Sequence, residues 1–283
     1  MAWQLRGESL KTMVERSPAR ANGEKERHLK SDFRPDGQEQ SVILPKIFSG
    51  YPEVRSGMST KLGSRSTGRF AMNLSFHVGD DPASVEINRS AFFSRLEIFC
   101  SELAIPLQTH SDKVHNVSSP GEYEQCDALV TNVHELALVV TVADCVPILL
   151  FDPLHHAIGA VHAGWRGTAA AIVQRAIQTM REEFKTEPDT VLAWIGPSAG
   201  ICCYEVGEEV AVKFKNKIVP CVKNKAWIDL KKENAFQLDR LGVAAANIEI
   251  SSHCTICEPQ LFHSYRRDGK NAGRMMAVIC LKR

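Results

Sequence analysis

Apolar residues in this chain fall into short runs parted by turn-forming residues, and the runs change period along its length. Leu136 to Val142 and Val146 to Phe151 are nearly continuous aliphatic and β-branched stretches, which predict buried strands. Asp152-Pro153 supplies a turn, and Ala157 to Ala163 predicts a further short strand. The period then lengthens. Ile172, Val173, Ala176, Ile177, Met180 and Phe184 recur three or four residues apart, so Thr168 to Lys185 predicts an amphipathic helix. Gly167-Thr168 would open it and Pro188 follows its end. Val191 to Ile195 reads as a strand closed by Gly196-Pro197. Helices are expected over Gly207 to Lys217 and over Lys232 to Leu241, stopping at Gly242, and a last strand over Met275 to Leu281. Strands alternating with helices over one long core predict a single α/β or α+β domain with mixed β-sheets flanked by helices, spanning residues 41–283. Residues 1–40 lack this periodicity, are rich in Arg, Lys, Glu, Ser, Gln and Pro, and predict a disordered polar tail.

Composition narrows the partners. A net charge of +1 over 283 residues argues against a nucleic-acid surface. No apolar run reaches the roughly 18 to 20 residues of a membrane span; the longest, Leu136 to Phe151, is interrupted by Asp144 and Pro147. Nine cysteines, an odd number with Cys202 and Cys203 adjacent, do not form a disulfide framework. No charged segment with an apolar core opens the sequence, so a reducing cytoplasm is expected. Glu8, Glu15, Glu24 and Glu26 disfavour, without excluding, an organellar transit peptide in the tail.

Candidate chemistry centres on His110, Cys145 and His162. A thiolate and two imidazoles can hold zinc at three positions and leave the fourth open, the ligand set of a catalytic site. Taken singly, a cysteine is often a small core hydrophobe and a histidine a structural one. Asp144 beside Cys145 changes that balance, because a carboxylate in a buried run is costly unless it orients something, such as a ligand histidine or a turn. Arg166, in His162-Ala163-Gly164-Trp165-Arg166-Gly167, offers a fork for phosphate or carboxylate, and the N–H groups after Gly167 favour anions. Two clusters compete. Cys254-Thr255-Ile256-Cys257 could hold structural zinc, be redox-active, or be two reduced thiols. Gly196-Pro197-Ser198-Ala199-Gly200 matches a nucleophile elbow, strained by Pro197.

Several motifs occur in one order: Leu107-Gln108-x-His110; Cys126-Asp127-Ala128-Leu129; Ala143-Asp144-Cys145-Val146-Pro147; His162 to Thr168; Ile195 to Ser198 with Cys203-Tyr204-Glu205-Val206-Gly207; and Ser264-Tyr265-Arg266-Arg267 with Gly273-Arg274. From about Ser59 to the C-terminus the chain resembles the YfiH-type, laccase-domain family of purine nucleoside phosphorylases. The resemblance implies α/β/β/α layers and a metal site of His110, Cys145 and His162. Zinc is expected there in preference to copper, because a multicopper enzyme needs many more histidines than this constellation offers. The resemblance also implies phosphorolysis of adenosine, inosine and methylthioadenosine and deamination of adenosine, so purine nucleoside and phosphate are the expected small-molecule partners. Catalytic roles fall on His110, Cys145, His162 and Asp144, with Asp127 a further candidate for orientation or proton transfer. Lys61, Asn73 and Arg166 are the candidate substrate and phosphate contacts. Lys61 stands where the family usually has arginine, a point charge in place of a bidentate fork.

Three other readings use the same residues. A metal-free hydrolase would take Cys145 as nucleophile and His162 or His110 as base. A peptidoglycan-editing enzyme would use Cys145 similarly, and a copper polyphenol oxidoreductase would bind copper through the same triad.

Overall fold

The computed structural model describes residues 41–63, 68–214, 218–222 and 225–283. The unit described is Gln38–Arg283; the polar tail expected over residues 1–40 lies outside the described residues.

Two six-stranded mixed sheets form the frame. The first runs Val42–Ile43, Val54–Ser59, Met275–Leu281, Ala137–Val142, Leu103–Leu107, Gly121–Glu124. Met275–Leu281 is antiparallel to both its neighbours, and Leu103–Leu107 is parallel to both of its own. The second runs Ile248–Ile250, Leu192–Ile195, Val146–Asp152, Ala157–Ala163, Ala128–Thr131, Val114–Asn116. At its centre Val146–Asp152 and Ala157–Ala163 pair antiparallel along their whole length. A small third sheet joins Glu205–Gly207, Lys225–Ile228 and Ile218–Val222.

The apolar runs are continuous because both faces of each sheet are covered. Leu138, Val140, Ala277 and Ile279 pack inward against Leu129, Leu149, Phe151, Ile158 and Trp194 of the other sheet. Their alternates Val139 and Val278 face outward onto Phe92 and Phe93 of the helix Pro82–Ser94. On the opposite side, Val130, Ile148, Leu150 and Val161 meet Ile172, Val173, Ala176, Ile177 and Met180 of the helix Ile172–Phe184. The result is an α/β/β/α stack. No helix among the described residues is long and apolar enough to cross a membrane.

The strands at Ala157–Ala163 and Met275–Leu281 have the expected limits. The helix expected over Thr168 to Lys185 is divided into Trp165–Ala169 and Ile172–Phe184. Buried Asn234 and Gln237 explain the break: they donate to the Thr168 hydroxyl at 3.0 Å and the Thr168 carbonyl at 2.9 Å. The chain then turns through Ala171 at φ +60°. The helix expected over Gly207 to Lys217 is shorter, Glu208–Ala211 followed by a 3₁₀ turn at Val212–Phe214, because Gly207 is already paired with Lys225 in the small sheet. Residues 215–217 lie outside the described residues. The helix Pro82–Ser94 was not anticipated; Asp81 caps it by accepting from Ser84 N–H at 3.0 Å, with Pro82 in its first turn.

Candidate active site

The chain crosses from one sheet to the other through Ala143-Asp144-Cys145, between Ala137–Val142 and Val146–Asp152. His162 lies across the ladder from Pro147, near the end of its strand. These pairings bring Cys145 beside the turn that follows His162. His110 comes from the loop after Leu103–Leu107, at φ +59°. The donor atoms of His110, Cys145 and His162 all lie within 4.8 Å of one another. The two imidazole rings stand edge to face, centroids 5.0 Å apart. Gly164 makes this approach feasible: a Cβ there would sit 3.1 Å from Cys145 Sγ and 3.1 Å from His110 Cδ2.

One carboxylate organises the two histidines. Asp127, fully buried, accepts from His162 Nδ1 at 2.8 Å. It also accepts from the backbone N–H groups of Thr109 at 3.1 Å, His110 at 3.0 Å and Ser111 at 2.6 Å, and from Ser111 Oγ at 2.7 Å. The backbone folding round this anion is what holds His110 in the left-handed region. With Nδ1 occupied by Asp127, His162 has its other ring nitrogen available to a ligand.

Charge follows from this wiring. Burial opposes ionisation of Asp127, but its bonds from His162 and Ser111 outweigh that and hold the carboxyl well below the usual range. Burial likewise opposes the Cys145 thiolate. The His162 charge beside it and the hydrogen bond from His110 overcome the penalty and bring the thiol down to about 6. His162 is desolvated, yet the Cys145 thiolate and Asp127 raise it to about 9.

Asp144 does not face a histidine. At φ +85° its carboxylate accepts from Thr255 Oγ1 at 2.6 Å, Ser264 Oγ at 3.0 Å and Arg266 N–H at 2.7 Å. Its carbonyl accepts from Ala199 N–H at 2.9 Å. It pins three loops behind Cys145.

The expected anion contacts are engaged to different degrees. Lys61 Nζ donates to the Pro259 carbonyl at 3.0 Å. Asn73, fully buried, donates to Ser75 O and Asp80 and accepts from the N–H groups of Ser75 and Arg274. Arg166 is exposed, with its guanidinium 4.3 Å from the Trp165 ring. Thr168 N–H, after Gly167, donates to Gly164 O at 2.8 Å. Ser198 is fully buried and the chain after it makes a turn, so the elbow motif presents no nucleophile.

Arg274 and Tyr204 lie within electrostatic reach of Cys145, and neither stands out from the sequence as a site residue. Burial lowers the Arg274 guanidinium, and Tyr265, Asp144 and Cys145 are the opposing charges around it. Burial pushes the Tyr204 phenol up to about 12, with Cys145 adding to the shift. Their places in Gly273-Arg274 and Cys203-Tyr204-Glu205 were the available signal. The Asp127 bonds to Thr109 and Ser111 carried no signal beyond the polar run around His110.

Residues 55–282 match the family model described as multi-copper polyphenol oxidoreductase laccase. A purine nucleoside phosphorylase of Bacteroides thetaiotaomicron is 35% identical over 263 residues, covering 86% of this chain and 97% of that protein. The chain belongs to the YfiH-type, laccase-domain family. Adenosine deaminase RL5, from an unknown prokaryotic organism, is 38% identical over 231 residues, covering 75% of this chain and 87% of that relative. Among solved structures of the YfiH type, the Bacillus licheniformis hypothetical protein YfiH superposes with a TM-score of 0.80 at 31% identity, covering 86% of this chain and 97% of that one. The α/β/β/α stack is thus the fold of this laccase-domain family.

Proposed function

We propose that this protein is a zinc-dependent purine nucleoside enzyme, cleaving adenosine, inosine and methylthioadenosine with phosphate and deaminating adenosine. The observation that carries the reading is the convergence of His110, Cys145 and His162 donor atoms within 4.8 Å. The names of the relatives, phosphorylases and one adenosine deaminase, supply the substrate class.

The donor set fits a metal. His162 is oriented through its far nitrogen by Asp127, the arrangement that fixes a ligand histidine. The Cys145 thiol, lowered to about 6, supplies a thiolate at neutral pH. One thiolate and two imidazoles suit zinc, and they suit a single copper ion as well. Among the described residues, the only other cluster suited to a metal is built of four cysteines. That offers no set of imidazoles for a multi-copper centre, so zinc is the better reading. Zinc held there supplies a Lewis acid and an activated water at neutral pH.

The chain's own groups do the rest. Asp127 keeps both histidines in register, and Asp144 fixes the crossing that carries Cys145. In phosphorolysis a phosphate oxygen attacks the ribose carbon as the glycosidic C–N bond breaks, and the base leaves with a proton. Arg166 and Lys61 are the candidates to hold that phosphate, and Asn73 acts through the Arg274 backbone it binds. In deamination water adds at C6 and ammonia leaves. Binding and electrostatic positioning are the protein's task in both.

A second reading rests on a specific observation. Asp127, His162 and Cys145 form an orienter–base–nucleophile chain, as a metal-free cysteine hydrolase requires. Product chromatography separates the two. The enzyme is incubated with adenosine, inosine and methylthioadenosine, with and without phosphate, before and after chelation. Phosphate-dependent release of base that stops on chelation is expected. Turnover of none of the three, or turnover unchanged after verified metal removal, overturns the proposal.

A further inference from the structure

A second group of metal-ligating side chains lies apart from the triad. Cys202 and Cys203 sit in the turn after the Leu192–Ile195 strand, and Cys254 and Cys257 in the loop after Ile248–Ile250. The sequence shows only a C-x-x-C and an unrelated pair. The fold joins them, because Leu192–Ile195 and Ile248–Ile250 are parallel neighbours, so the loops that leave their ends emerge side by side. Ser198 bridges Cys254, and Thr255 N–H donates to Ser198 O at 3.0 Å. All four sulfurs lie within 4.8 Å of one another, with Cys203 and Cys257 at 3.2 Å and Cys202 and Cys257 at 3.5 Å.

From these positions we infer a structural zinc site of four thiolates, Cys202, Cys203, Cys254 and Cys257, that clasps two loops behind the active site. A tetrahedral ion with Zn–S bonds of about 2.3 Å places its sulfurs about 3.8 Å apart, so small side-chain adjustments close the shell. Sulfurs this close do not span a multi-iron cluster, whose four thiolates are divided among separate irons. The surroundings suit an anionic tetrathiolate. Gly200 N–H donates to Cys254 Sγ at 3.3 Å, and the N–H groups of Ile256 and Cys257 also bond that sulfur. Lys231, buried, is held by the carbonyls of Ser251 at 2.7 Å and His253 at 2.9 Å, with Asp229, Cys254 and Cys202 among the negative groups around it. Arg267 brackets the C-x-x-C turn through the Thr255 and Ile256 carbonyls. A Cβ on Gly200 would lie 3.2 Å from Cys202 Sγ and 3.4 Å from Cys254 Sγ, so glycine lets the loop approach. The clasp reaches the reaction centre through neighbours in sequence: Thr255 binds Asp144, and Ala199 binds the Asp144 carbonyl.

The test is zinc content of the full chain purified under reducing conditions, measured by mass spectrometry. Wild type is expected to hold about two zinc ions per chain and the C145A/H162A variant about one. The C254S/C257S variant, if it folds, should lose that second ion and gain chelator-independent mobility in residues 198–204 by hydrogen exchange. Cobalt substituted into C145A/H162A keeps the cluster intact and should show the intense sulfur-to-cobalt absorption of four thiolates. Zinc-free C145A/H162A, with the four cysteines freely alkylated or joined as disulfides, overturns the inference. Zinc retained in C145A/H162A at the wild-type level upholds it while counting against the active-site metal.

Discussion

The Asp127 carboxylate accepts from the His162 ring at 2.8 Å and, through the same oxygen, from the backbone of His110 at 3.0 Å. One buried anion therefore sets a ring and a loop together. Replacing it by asparagine keeps the shape but turns an amide N–H₂ toward donors. Asp127→Asn is expected to weaken metal binding about 10- to 100-fold, and turnover should fall with it. Competition titration against a chelator reads the first effect and initial rates the second. Unchanged metal affinity would show that Asp127 does not orient the site.

The same carboxylate makes stability depend on acid. Its folded pKa is depressed by the His162 and Ser111 bonds. A depressed carboxyl contributes stability that is present above its unfolded value, about 3.9, and lost as pH falls through the folded one. Metal-free wild type should therefore lose stability below about pH 4, and its advantage over Asp127→Asn should shrink across that window. Urea unfolding of both proteins over a pH series checks this.

Cys145 should behave as a thiolate near neutrality once metal is removed. Its thiol is brought down to about 6 against burial by the His162 charge and the His110 bond, whereas free cysteine ionises near 8.5. Alkylation of Cys145, followed by peptide mass spectrometry, should rise through a midpoint about 6 in the metal-free enzyme. Zinc should protect it, and His162→Gln should move the midpoint upward.

Asp144 should matter through the backbone. It sits at φ +85° and its carboxylate satisfies Thr255, Ser264 and Arg266. Asparagine tolerates left-handed backbone and alanine does not. Asp144→Ala is expected to cost about 2–4 kcal/mol, and Asp144→Asn distinctly less. Denaturant melts of the two variants give the comparison, and equal losses would put the role in charge alone.

Much of the frame was legible because it is written in local patterns. The runs ending at Val142 and beginning at Val146 are apolar on both faces, and the structure buries both faces. The break at Ala171 was not legible, because Asn234 and Gln237, far along the chain, take the Thr168 groups. His110, Cys145 and His162 could be picked out by residue type, but their meeting depends on a strand pairing and a sheet crossing that spacing does not encode. The interplay of the two aspartates was legible only as two acids in apolar surroundings. Which one holds histidine and which holds loops is decided by the left-handed turn at Asp144 and by Asp127 lying at the head of its strand. The four-cysteine cluster shows the same limit, since one pair gives no hint of the other until two parallel strands bring their loops together.

The most direct measurement is anomalous diffraction at the zinc edge from crystals of the enzyme as purified. A peak is expected about 2.0–2.1 Å from a ring nitrogen of both His110 and His162 and about 2.3 Å from Cys145 Sγ, lost in the C145A/H162A variant. Fully loaded crystals with no anomalous peak among these three side chains would contradict it.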